Sequence, residues 1–319
     1  LAKSVTKDVK RQIQKYFGVS KILEPIKYYT EFIEHYLEKL ADGRIPKEDI
    51  KYIKDSFKAS QRNGKIEMED IAPLMYIKYM VNGIKTKFEL KHIVIDEAQD
   101  FSEFQFYVFK KIVKSSSLTI LGDLAQGIYY YRGTENWQKT MSLVFDEQIE
   151  PQYLTLKKTY RTTEEIMNVA NKVISHLIEK LNCSLGEPVM KNGAPVTIKE
   201  FKNRNKMVEQ IKQRLDEFKN KDLKNIALIC KTVEDCEKLK QELNIEKIHI
   251  ISDSDSEYSG GISIVPSYLS KGLEFDAVII VDADIYNYSN SEVDTKLLYV
   301  CITRAMSTLD IYHIEPLTE

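Results

Sequence analysis

From residue 91 onwards, short apolar runs alternate along the chain with longer segments whose apolar residues recur at helical spacing. The apolar runs predict seven strands, at residues 92–95, 118–121, 196–201, 226–230, 261–265, 277–281 and 309–314. Between them, residues 163–180 and 203–219 place their apolar side chains on one helical face. Strands that are apolar throughout and are separated by helices are typical of a parallel sheet covered on both sides. We therefore predict an α/β fold for this part of the chain.

The first 90 residues show a different pattern, in which helices dominate. Apolar residues at helical spacing in 28–40 and in 71–81 predict two helices. Further along, Thr162 stands three residues before Glu165, which is the spacing of a capping box, so the helix at 163–180 is predicted to begin there.

Composition narrows the class of protein. The 319 residues are enough for two domains, and the hydrophobic and charged fractions of 43% and 29% indicate a globular protein with a real core. The formal net charge of −2 excludes a protein that is basic overall, although a local basic groove is compatible with it. Four cysteines without metal-binding spacing favour a reducing, cytoplasmic compartment. With no signal peptide and no apolar stretch of ~18 residues, we expect no membrane partner.

Polar residues follow two of the predicted strands at the point where each strand ends. Asp96 and Glu97 come directly after the strand at 92–95, and Asp123 and Gln126 follow the strand at 118–121. In open α/β sheets, ligands bind beyond the carboxyl ends of the strands. One carboxylate can hold Mg²⁺ while its neighbour accepts a proton from an attacking water. Acids are also common in ordinary loops, so the pair alone is a weak signal.

Two arginines could supply the positive charge that such a site needs. Arg161 precedes the helix at 163–180, and Arg304 lies in an otherwise apolar segment, 297–309, that predicts a further helix. The planar guanidinium group suits phosphate oxygens. Gly272, in "SKGLEF", lets the backbone approach a ligand closely. The alternative is that each arginine is a salt-bridge partner on a buried helix face.

Five segments in this order resemble the motifs of the UvrD/Rep-like superfamily 1 helicases. They are "VIDEAQD", which is similar to the Walker B motif, "GDLAQGIYYYRG", "LKKTYRT", "SYLSKGLEFDAVII" and "LLYVCITRA". The resemblance spans residues 93–305 and implies RecA-like parallel sheets with flanking helices, as in P-loop NTPases. It implies an incomplete first RecA-like domain at 91–158, preceded by the helical region 1–90, and a complete second one at 159–319.

The resemblance also implies roles for individual residues in binding and hydrolysing ATP. Asp96 would hold the Mg²⁺ of bound ATP, and Glu97 would activate water. Gln126 would couple the γ-phosphate to the nucleic-acid site, while Arg161 and Arg304 would reach the γ-phosphate. Tyr160 would stack on adenine, Glu274 would contact the ribose, and Gly272 belongs to the same nucleotide-binding set.

Three residues are expected to contact nucleic acid, either single-stranded or duplex DNA. They are Tyr131, Arg132 and Tyr268. Tyr131 occupies the place where the family usually has a Trp that stacks on a base, and base–aromatic stacking contributes ~1–3 kcal/mol per base. Tyr268 stands where the family usually has a His. This difference puts in question whether contact with the nucleic-acid strand is coupled to ATP.

Two features depart from the family pattern. The sequence contains no GxxxxGK[ST] loop, which cradles phosphates, and it begins at Leu1, so we expect a C-terminal fragment that hydrolyses no ATP by itself. The interval between Arg161 and "SYLSKGLEFDAVII" is too short for the family's large inserted helical domain. This compact spacing resembles that of the HelD-type branch, whose members bind bacterial RNA polymerase.

Three hypotheses therefore stand. The chain is the C-terminal part of a monomeric ATP-dependent DNA helicase or translocase, the motor portion of a polymerase-recycling ATPase, or a catalytically silent interaction module.

Overall fold

A computed structural model of the chain describes residues 24–83, 90–113, 117–129, 132–144, 151–189, 192–246, 248–252 and 260–317. The chain divides into two compact units. One comprises residues 1–93 and 104–117, and the other comprises residues 94–103 and 118–319. Within the described ranges, no helix is both long enough and apolar enough to cross a membrane.

The first unit is helical, as its sequence pattern predicts. Its helices are α1 (Pro25–Glu31), α2 (Leu37–Ala41), α3 (Lys47–Arg62), α4 (Met68–Asn82) and α5 (Glu103–Ile112), with a π-helical segment (Phe32–Tyr36) between α1 and α2. Tyr29, Ile33 and Phe57 form its buried core. The Tyr29 hydroxyl donates to Asp70 on α4 at 2.8 Å.

The second unit contains a six-stranded sheet in which every pairing is parallel. Its strands are β5 (Thr197–Glu200), β6 (Asn225–Cys230), β7 (His249–Ile250), β8 (Gly261–Pro266), β9 (Phe275–Val281) and β10 (Ala305–His313), in the spatial order β5-β10-β9-β6-β8-β7. Two further pairs form small separate sheets, β1 (Ile93–Ile95) with β2 (Leu118–Ile120) and β3 (Lys158–Thr159) with β4 (Glu187–Pro188). The predicted strands are confirmed, and β3, β4 and β7 are additional.

Helices connect the strands and cover both faces of the sheet. They are α6 (Trp137–Val144), α7 (Glu164–Ile174), α8 (Ile178–Leu181), α9 (Arg204–Asn220), α10 (Val233–Leu243) and α11 (Glu292–Thr303), with short 3-10 turns at Ala98–Asp100, Leu124–Gln126, Ser175–Leu177 and Ser267–Ser270. Alternate residues of β6 belong to two hydrophobic cores, one on each face of the sheet. Ala227 and Ile229 pack with α7 and α11, whereas Ile226 and Leu228 pack with α9 and α10. The prediction of a parallel sheet covered on both sides is therefore confirmed.

Two local predictions are wrong. Arg304 is not inside a helix, because α11 ends at Thr303 and β10 begins at Ala305. Pairing with β9 draws the chain into the sheet one residue after Arg304, so tertiary contacts override the helical pattern. The capping box of Thr162 and Glu165 does not form either: Thr163 is the N-cap of α7, and the Glu165 carboxylate accepts instead from the backbone of Gly193 at 2.8 Å.

Candidate functional site

The acidic pair lies directly after β1 and faces solvent. Glu97 adopts a left-handed backbone conformation with φ of 50°, which is uncommon for a residue other than Gly, and the Asp96 carboxylate accepts a hydrogen bond from the Glu97 backbone N–H at 2.8 Å. The Glu97 side chain is 57% exposed. A strained backbone conformation of this kind is found more often at functional sites than elsewhere.

Gln99 is a residue of this site that the sequence motifs did not single out. Its side chain is only 1% exposed. Its Nε2 donates to Glu97 Oε2 at 2.5 Å, and its Oε1 accepts from the backbone N–H of Asp123 at 3.0 Å. The available signal was a polar side chain two residues after a strand-end acid, but its burial depends on tertiary packing.

A chain of hydrogen bonds links the loop after β2 to the end of α11. The Asp123 carboxylate accepts from the backbone N–H of Ala125 at 2.9 Å and from Gln126 Nε2 at 2.8 Å. The other end of the Gln126 amide, Oε1, accepts from Arg304 Nη2 at 2.9 Å. The structure therefore brings together Gln126 and Arg304, which are 178 residues apart in the sequence.

Arg304 is a buried cation held by neutral acceptors. It is 1% exposed, and besides Gln126 it donates to the backbone oxygens of Val300 at 3.1 Å and Leu273 at 3.4 Å. No carboxylate pairs with it in the part of the chain that the structure describes. The pKa of Arg304 is lowered, first by burial and next by the nearby positive charge of Arg161. The negative charges of Glu97 and Glu274 act in the opposite direction but do not outweigh these two causes, so the positive charge is only partly neutralised.

Arg161 pairs with Glu274 rather than lying free. Their side chains are 42% and 45% exposed, and Arg161 Nη2 lies 2.9 Å from Glu274 Oε1. Tyr160, next to Arg161, is 74% exposed. Gly272 has a φ of 81°, a conformation that L side chains rarely adopt, and it is exposed at the turn after the 3-10 segment Ser267–Ser270.

Lys271 is a second residue that the sequence prediction did not assign. Its Nζ lies 2.7 Å from both carboxylate oxygens of Asp100 and 3.6 Å from Glu97 Oε2. The Lys271 side chain is nearly buried. This lysine joins the segment after β1 to the segment after β8, and the signal for it was its position beside Gly272.

The three residues expected at nucleic acid have different surroundings. The Arg132 guanidinium lies over the Tyr129 ring, 4.3 Å from its centroid, which is a cation–π geometry. Tyr268 is half-buried and packs against the core that α7 and α11 share with the sheet. Tyr131 lies outside the described residues.

The chain is similar to helicase domains of known families. Residues 46–143 match the UvrD/REP helicase N-terminal domain, and residues 154–258 and 261–311 match two models of the UvrD-like helicase C-terminal domain. This chain carries UvrD-like helicase domains of both types. The UvrD-like matches include every residue of the site described above, from Asp96 to Arg304.

Individual relatives of this UvrD-like chain are helicases by name. A candidate ATP-dependent DNA helicase of Acanthamoeba polyphaga mimivirus is 29% identical over 283 residues, which is 78% of this chain and 39% of the relative. The ATP-dependent DNA helicase PcrA of Staphylococcus epidermidis is 36% identical over 94 residues, 29% of this chain and 12% of the relative. The chain therefore spans well under half the length of these relatives.

One solved structure is also similar. It is the C-terminal domain of a possible DNA helicase from Lactobacillus plantarum WCFS1, with a TM-score of 0.40 and 27% identity, covering 50% of this chain and 90% of that domain.

A bound metal ion would need ligand side chains that lie close together. Within the described ranges, no group of three or more His, Cys, Asp or Glu side chains could hold one. Mg²⁺ bound together with a nucleotide needs only one or two carboxylates, because phosphates and waters fill its other positions. The exposed carboxylate of Asp96 fits that requirement, whereas a permanent all-protein metal site does not fit the described residues.

Proposed function

We propose that the protein is an ATP-dependent superfamily 1 DNA helicase or translocase, in which this chain forms part of a RecA-like motor. The matches to UvrD-like domains and the parallel sheet covered by helices support this proposal. It would hydrolyse ATP with Mg²⁺ and move along single-stranded or duplex DNA. It would act as a monomer in the cytoplasm.

The main support for the proposal is the buried positive charge of Arg304. Burying a cation costs several kcal/mol unless a partner compensates, and Arg304 has only neutral acceptors within the described ranges. A buried positive charge without an anionic partner is suited to bind an anionic group of a ligand. The γ-phosphate of ATP is such a group, and a fixed donor that meets charge developing on it stabilises the transition state.

Each residue then has a role toward the nucleotide. Asp96 would hold Mg²⁺, which neutralises phosphate charge, and Glu97 would take the proton of the attacking water. Tyr160 would stack on adenine, since its ring is exposed and close in sequence to Arg161. We propose that Arg161 leaves Glu274 when ATP binds: Arg161 would turn to the γ-phosphate and Glu274 to the ribose. Gly272 would let the backbone approach the nucleotide.

Gln126 would connect the bound nucleotide to the DNA. Its amide joins Asp123 on one side and Arg304 on the other, so movement of Arg304 toward a phosphate would pull on the loop after β2. That loop continues to Tyr131 and Arg132. Together with Tyr268, these residues would contact bases and the DNA backbone.

Hydrolysis of Mg²⁺-ATP by the intact protein, measured with and without single-stranded DNA, tests the proposal. Glu97→Gln should lower kcat by ~10²–10⁴, the usual contribution of a general base, while the affinity for ATP is retained. Glu200→Gln, on the exposed face of edge strand β5, is the matched control and should be neutral. Residues 1–319 alone should show no turnover above background. Absence of turnover in the intact protein would favour the silent interaction module instead.

A second candidate is the motor of a HelD-type ATPase that binds bacterial RNA polymerase. The observation that favours this candidate is the compact connection from α7 to β8. In this connection, β5, β6 and β7 all join the six-stranded sheet. Co-elution of the intact protein with purified core RNA polymerase on gel filtration, without DNA, would support this role. Elution as two separate peaks would argue for the helicase.

A further inference from the structure

The amide of Gln99 can be placed in only one orientation. Its Nε2 meets the carboxylate of Glu97 at 2.5 Å, and its Oε1 meets the N–H of Asp123 at 3.0 Å. Turning the amide over would set oxygen against oxygen and N–H against N–H, so both hydrogen bonds would be lost. The network therefore assigns the amide N–H to Glu97.

Two glycines leave the space in which the backbone and side chain of Gln99 lie. A Cβ atom added to Gly122 would come within 2.7 Å of Gln99 Oε1. A Cβ atom on Gly133 would come within 2.5 Å of the Gln99 carbonyl oxygen, which accepts from the Thr134 N–H at 2.9 Å. Real Cβ atoms do not approach this closely, so the two glycines leave the space that Gln99 fills. A nearly buried amide in such a space has little freedom to turn.

Gln99 holds one oxygen of Glu97 and leaves the other accessible. Among the described residues, Glu97 Oε2 is contacted by Gln99 and, at 3.6 Å, by Lys271 Nζ, whereas Oε1 has no hydrogen-bond or ion-pair partner. Because the Glu97 side chain is 57% exposed, its carboxylate would rotate freely without this contact.

We propose that Gln99 is a positioning residue, which holds Oε2 of Glu97 so that Oε1 receives the proton of the attacking water. This inference rests on the proposed function. In the step that it serves, a proton passes from water to Oε1, the water oxygen bonds to the γ-phosphorus, and the bond from that phosphorus to the ADP oxygen breaks. Gln99 itself would touch neither water nor phosphate.

Two substitutions in the intact protein separate positioning from support of the fold. Gln99→Glu keeps an acceptor for the Asp123 N–H but replaces the donor to Glu97, whereas Gln99→Met keeps the size and removes both hydrogen bonds. Each should lower kcat by ~10–100-fold, the usual loss when a partner that orients an active-site ligand is removed. KM for ATP and the affinity for a non-hydrolysable ATP analogue should stay within about threefold of wild type. Gln210→Glu, on α9, is the matched control.

A double substitution tests whether Gln99 acts through Glu97. In a Glu97→Gln background, Gln99→Glu should cause no further loss, because interacting residues are not additive. An equal further loss would overturn the inference, as would wild-type kcat in both single variants. If the Gln99 variants lose turnover only because they melt below the assay temperature or no longer bind the analogue, Gln99 supports the fold and the inference is wrong. Lack of turnover in the wild-type protein would instead overturn the proposed function.

Discussion

Replacing Arg304 by Met separates a functional charge from a structural one. The change removes the guanidinium and keeps most of the apolar stem. Four hydrogen bonds are lost, to Val300, Leu273, Gln126 and Thr303. Hydrogen bonds to a charged group contribute ~1.5–3 kcal/mol each. The substitution also removes the cost of burying an ion that has no carboxylate partner in the described ranges. That cost is several kcal/mol.

The hydrogen bonds that are lost and the burial cost that is relieved act in opposite directions, so Arg304→Met should lower the free energy of unfolding by less than the loss of a partner of a buried carboxylate does. Catalysis should respond quite differently. Loss of one donor that stabilises developing charge lowers kcat by ~10²–10³, whereas KM for ATP should change much less.

Arg214→Met is the matched control. Arg214 donates to both oxygens of Asp310, at 2.6 and 3.2 Å, and Asp310 is 0% exposed. Removing this arginine leaves the buried Asp310 carboxylate with the Tyr312 hydroxyl but without its cation, which costs ~3–5 kcal/mol. Melting should therefore fall clearly in Arg214→Met, with kcat retained at temperatures where the protein is folded. If Arg304→Met instead melts as early as Arg214→Met and hydrolyses ATP normally, Arg304 is a structural residue and the reasoning about its unpaired charge fails.

Two further predictions concern ion pairs of the second unit. Lys271→Met should lower the free energy of unfolding by about 1–3 kcal/mol, because Asp100 loses its cation. Adding Asp100→Asn should restore part of that loss. If the losses of the two single variants simply add in thermal melting of the double variant, the pair does not interact. Burial works to raise the pKa of Asp294, but hydrogen bonds from Lys231 and Ser289 outweigh it and hold that pKa below its usual value. The resulting stability is present above the unfolded-state pKa of ~3.9 and is lost as the pH falls through the lower folded value. Asp294→Asn should therefore flatten the loss of stability below about pH 4 in acid-unfolding curves, and an unchanged curve would contradict the assignment.

Periodicity in the sequence determined most of the architecture. Strands such as 226–230 are apolar at every position because both faces of the sheet are buried, and that property is visible without any tertiary knowledge. The helix at 203–219 was predictable for a similar reason: Asn203 caps it, and its apolar residues lie on one face. The acids after β1 were found because they follow a strand end, and the arginines because they lie beside or within apolar helical segments; both also match ordered motifs.

Only the tertiary structure decided what each of those charged groups contacts. Glu165 was expected to cap its own helix, yet it accepts from Gly193, which is 28 residues away. Lys271 and Gln99 were not recognised, because their importance lies in partners that fold next to them and not in their neighbours along the chain. Arg304 looked like part of a helix until pairing with β9 ended that helix and left its guanidinium buried against Gln126. Local propensity follows from neighbouring residues, whereas burial, charge pairing and strand register depend on contacts between distant ones.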